Sequence, residues 1–358
     1  MTRQMRPTKA KTRKDSAKHA RVLSCSLALL AAIACGDPSG PGEPENPGEK
    51  VVETGGGARH LVWTRDGTEL VFSDFHALNA VAISTHAVRQ LDPSPVIMSV
   101  IRNGAERIYF GTALFTDPNF RISRVNPVSG AVDVLVTNSQ TGYDEFMEVS
   151  ADERFLATSL RLYDLQTGAR TNLPPGKPFG FSPDGTKLLY YVDVAGANPS
   201  PTLISTADGS SQPLHPAGYF HLTHRWNGNS PQLLKAELEF KNGYYDSVRL
   251  TEIDGLTGVS HDIAQFSTSG GYSFNTNWSS DGLTLGTWVE QGSIADGTNR
   301  TNLFVIRSGS PPALVASVTP PWNAGPPGPP VFSPSGNSVA YFYYHANESR
   351  SLYVKSGI

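Results

Sequence analysis

What this chain lacks narrows its function before what it contains does. It has two cysteines in 358 residues, Cys25 and Cys35. Both lie in the first 35 residues, so no disulfide framework supports the body and its stability rests on packing. The leading apolar and small stretch, Val22 to Ala34, has thirteen residues, short of the roughly 20 needed to cross a membrane as a helix. No G-x-S-x-G elbow occurs, because Gly180-Phe181-Ser182-Pro183-Asp184 departs at its last position. H-E-x-x-H, the Walker A loop, the dinucleotide fingerprint and the D-x-D-x-D-G calcium loop are also missing.

Basic clusters are missing from the body as well. Eight of the 29 Lys and Arg residues but only one of the 32 Asp and Glu residues lie in the first 34 positions, leaving 21 basic against 31 acidic side chains and a net charge near −10. Nucleic-acid binding depends on Lys and Arg groups that displace counterions from phosphates. A body this acidic argues against such a partner.

The first segment is a leader. Arg3, Arg6, Lys9, Lys11, Arg13, Lys14, Lys18 and Arg21 precede the apolar run, the order of a secretory signal peptide. Ala32-Ile33-Ala34-Cys35 resembles a bacterial lipobox, with Ala32 where Leu is usual. The resemblance implies a signal peptide over 1–34, cleavage before Cys35, and lipid on Cys35 that ties the protein to a membrane of the cell envelope. Cys25 follows a comparable triplet, Val22-Leu23-Ser24, but almost no hydrophobic run precedes it. A secreted protein with a free Cys35 and an uncleaved anchor are the other readings. Residues 35–49 are rich in Pro, Gly and Glu and hold no aromatic or aliphatic side chain after Cys35. They are expected to form a disordered tether.

From Lys50 the chain repeats itself. Phe181-Ser182-Pro183-Asp184-Gly185 feeds the apolar run Leu188-Leu189-Tyr190, and Trp63 to Gly67, Trp278 to Gly282 and Phe332 to Gly336 repeat the pattern. Asp-Gly suits a tight turn because Gly takes positive φ freely and Asp bonds the neighbouring backbone. Weaker anchors fall at Val100 to Gly104, Val149 to Glu153 and Trp226 to Asn229. Seven units over residues 50–358 average about 44 residues, the length of a four-stranded propeller blade. Short turns ending in Gly130, Gly168, Gly209, Gly258 and Gly309 mark the step from third to fourth strand. The last unit stops after its third strand, so Lys50 to Thr54 is expected to supply the fourth and close the ring. The predicted fold is an all-β, seven-bladed propeller, with six or eight blades as alternatives.

These anchors resemble the WD40-like repeat of the TolB-like β-propellers of the bacterial envelope, whose blades carry an aromatic-Ser-Pro-Asp-Gly turn. Phe181 to Gly185 matches fully, and the resemblance covers most of residues 50–358. It implies fold and says little of function, because the motif is a structural turn.

One face of such a ring carries the brief turns and the other carries long connections, which is where binding is expected. Candidate binding residues there are His76, Tyr143, His215, Tyr219, His221, His224, Tyr245, Tyr272, Trp322 and His345, aromatic and imidazole groups suited to protein or carbohydrate recognition. The expected partner is a protein or glycan of the envelope, met by a monomer that needs no cofactor and performs no catalysis. The alternative is a propeller acting on polysaccharide, similar to the oligogalacturonate lyases, with a metal ion near His215, His221 and His224.

Overall fold

The computed structural model describes residues 47–55, 57–74, 76–93, 102–103, 106–112, 121–137, 146–193, 200–215, 221–241, 244–267, 275–291, 300–319, 327–345 and 349–358. Among them are 28 strands, arranged as seven four-stranded antiparallel sheets. The closing strand is β1 (Glu49–Thr54). Blade 1 is β2 (Arg59–Trp63), β3 (Glu69–Ser73), β4 (Leu78–Ala82) and β5 (Val88–Asp92). Blade 2 is β6 (Arg102–Asn103), β7 (Ile108–Thr112), β8 (Arg121–Val125) and β9 (Val132–Thr137). Blade 3 is β10 (Met147–Val149), β11 (Phe155–Thr158), β12 (Arg161–Asp164) and β13 (Arg170–Asn172). Blade 4 is β14 (Gly176–Phe181), β15 (Lys187–Val192), β16 (Ser200–Ser205) and β17 (Ser211–Pro213). Blade 5 is β18 (His221–Asn227), β19 (Ser230–Lys241), β20 (Tyr244–Asp254) and β21 (Ser260–Ser267). Blade 6 is β22 (Thr276–Trp278), β23 (Thr284–Gln291), β24 (Arg300–Arg307) and β25 (Ala313–Val318). Blade 7 is β26 (Val331–Phe332), β27 (Ser338–Tyr344) and β28 (Arg350–Ser356), with β1 as its fourth strand.

The repeated turn is explained by its hydrogen bonds. Ser182 donates its hydroxyl to Asp184 Oδ1 at 2.6 Å, and that oxygen also accepts the backbone N–H of Thr186 at 3.0 Å. Gly185, at φ 69°, occupies the left-handed corner. Thr64 with Asp66, Ser150 with Asp152 and Ser279 with Asp281 repeat the arrangement at 2.7, 2.6 and 2.6 Å. Ser335 stands in for Asp in blade 7 and meets Ser333 Oγ at 3.2 Å. The motif is therefore a self-capped connection between first and second strands.

The ring is closed as expected. β1 pairs antiparallel with β28, from Glu49 opposite Val354 to Thr54 opposite Arg350. The closure begins earlier than the tether boundary predicts. Tyr341 donates its hydroxyl to the Pro47 carbonyl at 2.8 Å, and Gly48 lies so close to β28 that a Cβ there would stand 2.2 Å from the Val354 carbonyl oxygen. Pro47 to Glu49 thus belong to blade 7.

First strands touch around the centre in the runs β2, β6, β10, β14 and β18, β22, β26, β2. Apolar clusters lie between blades as well as within them. Leu70, Phe72 and Val81 of blade 1 pack with Ala340, Phe342, Leu352 and Val51 of blade 7. Burying each large side chain contributes on the order of 1.5–3 kcal/mol, so each blade is stable chiefly in the company of its neighbours.

Polar pegs cross the same boundaries. Trp63 Nε1 donates to the Val331 carbonyl at 2.9 Å, Tyr190 donates to the Ser159 carbonyl at 2.5 Å, and Arg89 reaches from Glu69 to the Pro127 carbonyl. Arg225 of blade 5 makes a bidentate pair with Glu252, at 2.6 and 2.8 Å, while its third nitrogen donates to the Gly282 carbonyl of blade 6 at 2.8 Å. The Glu252 side chain is 1 % exposed.

Candidate binding face

First strands β6, β10, β18, β22 and β26 enter from connections of seven residues or more, whereas β2 and β14 follow links of only four and three residues, and the self-capped turns of blades 1, 3, 4, 6 and 7 lie on the opposite face. On the turn face Asp164, Asp184 and Asp208 are held by their own blades. The Ser182 hydroxyl and then the Thr186 N–H hold Asp184 well below the usual carboxylate range, at about 2. Arg154 does the same for Asp164 and the Ser210 N–H for Asp208, each to about 2.

The other face carries cations at the start of first strands β2 and β14 and of third strand β28. Arg59 opens β2 and is exposed, and Lys177, also exposed, is the second residue of β14, with its ammonium 4.3 Å from the centre of the Phe146 ring. Arg350 opens β28, donates to the Ala58 carbonyl and lies 4.4 Å over the Tyr344 ring. Burial pushes its guanidinium below the usual arginine range, and neighbouring Arg59 adds to this against the opposing influence of Tyr344. Arg350, bonded to the residue before Arg59, thus feels that like charge in a chain whose body is acidic overall. The links before Arg59, before β14 and before Arg350 have only four, three and five residues, so nothing local in the sequence marks these cations.

The predicted site residues scatter. His76 lies exposed in the short link between β3 and β4, its backbone N–H donating to Asp74 Oδ1 at 2.7 Å. His345 follows β27, shares a hydrogen bond with Ser351 Oγ at 2.7 Å and meets the Tyr343 ring edge-on. His215 donates its N–H to the Gly255 carbonyl at 3.0 Å and packs on Gly258, so it sits against a short turn of blade 5 rather than among long connections. His221 and His224, expected in a loop, are both part of β18. The His224 ring fills the space over Gly180, where a Cβ would stand 2.6 Å from its Nε2, and contacts the Phe179 and Trp226 rings edge-on. His215 and His224 thus face different neighbours. Among the described residues no group of three His, Cys, Asp or Glu side chains is placed to hold a metal ion. Cys35, Tyr143, Tyr219, Tyr272 and Trp322 lie outside the described residues.

Tyr245 occupies a strand where a loop is expected. β19 and β20 run for twelve and eleven residues, against six in β15 and β16. The excess of about five residues raises this hairpin roughly 17 Å beyond its neighbour at the usual rise per residue. Its apolar side, with Leu234, Ala236, Val248 and Leu250, packs on Leu285, Val289 and Ile306 of blade 6. Its other side is polar, with Lys235 bonded to Glu237 and Ser247 bonded to Glu239 at 2.5 and 2.7 Å. The Asn242-Gly243 pair between the strands is the sequence signal that identifies a hairpin.

No protein-family profile matches the chain, and no curated protein matches it by sequence. Solved structures do match. An oligogalacturonate lyase of Vibrio parahaemolyticus is similar over 86% of this chain and 92% of that one, at 14% identity and a TM-score of 0.62. The Kuenenia stuttgartiensis hydrazine synthase is similar over 85% of this chain and 97% of that one, at 17% identity and a TM-score of 0.56. TolB of Acinetobacter baumannii covers 75% of this chain and 64% of its own, at 14% identity and a TM-score of 0.44. The chain is a seven-bladed β-propeller of four-stranded antiparallel blades, closed by its N-terminal strand, and at these identities its likeness to other proteins is one of fold.

Proposed function

We propose that this chain is a lipid-anchored propeller of the bacterial cell envelope that binds, as a monomer and without catalysis, a protein or glycan through its long-connection face. The observation that carries this reading is the cationic set on this face: Arg59 at the start of β2, Arg350 at the start of β28 and Lys177 near the start of β14. Two adjacent guanidiniums are stabilised by an anionic group placed between them, and aromatic neighbours supply contact area beside them. The favoured partner surface is therefore acidic: carboxylate side chains of a protein or uronate groups of a glycan. The lipobox at Cys35 and the Pro- and Gly-rich segment after it support attachment to a membrane.

The test has two arms. In cells given an alkyne-tagged fatty acid, the wild-type chain is expected to take up label and Cys35→Ser to lose it; equal labelling of both overturns the anchor. In capture from envelope extract, wild-type chain is expected to retain a partner that Arg59→Glu with Lys177→Glu releases. Unchanged capture by the charge-reversed protein overturns the binding face.

The lyase reading rests on the fold shared with an oligogalacturonate lyase. Release of unsaturated product from oligogalacturonate on incubation with the chain and a divalent metal would replace the non-catalytic reading with that one.

A further inference from the structure

On the turn face, away from the cations described above, blades 3 and 4 part to leave a cleft of about 400 Å³ that opens to solvent. Its size falls within the range of small-molecule sites. Phe155 and Leu162, 8 % and 3 % exposed, contribute apolar surface to it. One wall is electrically closed: Arg154 donates to Asp164 at 2.9 Å, Gln166 and Thr167 donate their N–H groups to the same carboxylate, and the guanidinium lies 4.7 Å over the Phe155 ring.

Asp184, also on the cleft, is committed to its own turn through Ser182 and Thr186, which leaves Asp152 and Lys187. Asp152 uses Oδ1 for its own turn, accepting from the Ser150 hydroxyl at 2.6 Å and the Arg154 N–H at 3.1 Å. Its carboxylate reaches across the blade boundary to within 3.8 and 3.9 Å of where a Cβ on Gly185 would lie. Lys187 lines the same cleft, half-buried, and among the described residues its ammonium makes no ion pair and no hydrogen bond. An available carboxylate oxygen and an unmatched ammonium therefore share one partly enclosed space.

We propose that this cleft binds a small zwitterion, an α-amino acid or a dipeptide with an apolar side chain. The ligand's ammonium meets Asp152, its carboxylate meets Lys187, and its side chain lies on Phe155 and Leu162. A ligand with only one charge satisfies one group and brings a like charge near the other, so a molecule carrying both is favoured over either half.

The experiment is calorimetric titration of the full chain with leucine, leucyl-leucine, isoamylamine and isocaproate. Binding of leucine or the dipeptide is expected below ~10 mM, with both single-charge compounds at least tenfold weaker. Which of the two zwitterions binds more tightly separates an amino-acid site from a peptide site. Lys187→Met keeps the aliphatic stem and is expected to weaken the zwitterion roughly tenfold while leaving the amine unaffected, and Asp152→Asn to weaken zwitterion and amine alike. Melting temperatures of both variants check that the turn is intact. No heat from any compound with wild-type protein, equal affinity for zwitterion and single-charge compounds, or leucine binding unchanged in Lys187→Met each overturns the proposal.

Discussion

Glu153 holds Tyr109 across the boundary between blades 2 and 3. Its Oε2 accepts the phenol hydroxyl at 3.0 Å, and its Oε1 accepts the backbone N–H groups of Glu106 and Arg107 at 2.7 and 3.1 Å. Glu153 takes the turn corner that is Gly in blades 1, 4, 6 and 7, at φ 57°. A side chain in that conformation costs on the order of 1–2 kcal/mol, which three charge-assisted bonds offset. Glu153→Ala keeps the backbone cost and loses the bonds, so it is expected to destabilise the protein by about 2–4 kcal/mol in urea unfolding. Glu153→Gly relieves the corner and is expected to cost less than Ala. Equal stability of Glu153→Ala and wild type rules the clamp out.

Tyr109 also sets an alkaline limit. Burial, with Glu153 adding to it against Arg124, raises its phenol from 10.0 to about 12. A raised pKa means that the folded chain holds the proton more tightly than the unfolded one, so the contribution is complete below pH 10 and is lost as pH rises toward 12. Spectrophotometric titration is expected to show a phenol missing from the pH 10 transition in wild type. In Tyr109→Phe that late-titrating group should be gone.

The acid limit has the opposite sign. Asp164, Asp184 and Asp208 are held at about 2 against an ordinary 3.8. Their contribution is present above pH 3.8 and is lost as pH falls toward 2. Thermal melts from pH 6 downward are expected to be flat at first and then to fall within that window. Asp184→Asn should flatten part of the fall, and an unchanged profile would remove Asp184 from the account.

Gly180 is predicted to tolerate no side chain. Its φ is 155°, and a methyl there would meet the His224 ring at 2.6 Å. Gly180→Ala is expected to cost about 1–3 kcal/mol by overpacking. Combination with His224→Ala should restore part of that loss, and purely additive effects would deny the contact.

Arg225 and Glu252 form the other testable joint. Glu252→Gln leaves Arg225 beside Trp278 and Gly282 without its counter-charge and is expected to cost about 3–5 kcal/mol, whereas Arg225→Met with Glu252→Leu together should cost less. A double mutant less stable than the single one overturns this ordering.

Much of the architecture was readable because one turn chemistry recurs. A Ser or Thr, an Asp two residues on and a Gly after it made blades 1, 4 and 6 visible, and Ser335 preserved the geometry of blade 7. Glu153 leaves the turn of blade 3 a weaker anchor because its carboxylate, rather than a missing Cβ, stabilises the corner. His86, at φ 58°, does the same in the third-to-fourth-strand turn of blade 1, where other blades have Gly, and meets Glu49 of the closing strand at 2.9 Å. The binding face was less readable. His221 and His224 read as loop residues because imidazoles in Pro- and Gly-bearing sequence suggest exposure, yet β18 places the His224 ring over Gly180 of blade 4. Arg59, Lys177 and Arg350 take their meaning from ring position, which local sequence does not encode.

The pairing of Thr54 with Arg350 makes the earliest-synthesised strand of the propeller wait for nearly the last. At roughly 5–20 residues per second, the intervening stretch takes on the order of 15–60 seconds to emerge. Throughout that interval β1 has no partner edge, because β28 has yet to be made. Six blades can assemble while the chain is still growing, but the wheel locks only after β28 has emerged, so translation speed sets when this protein becomes resistant to proteolysis.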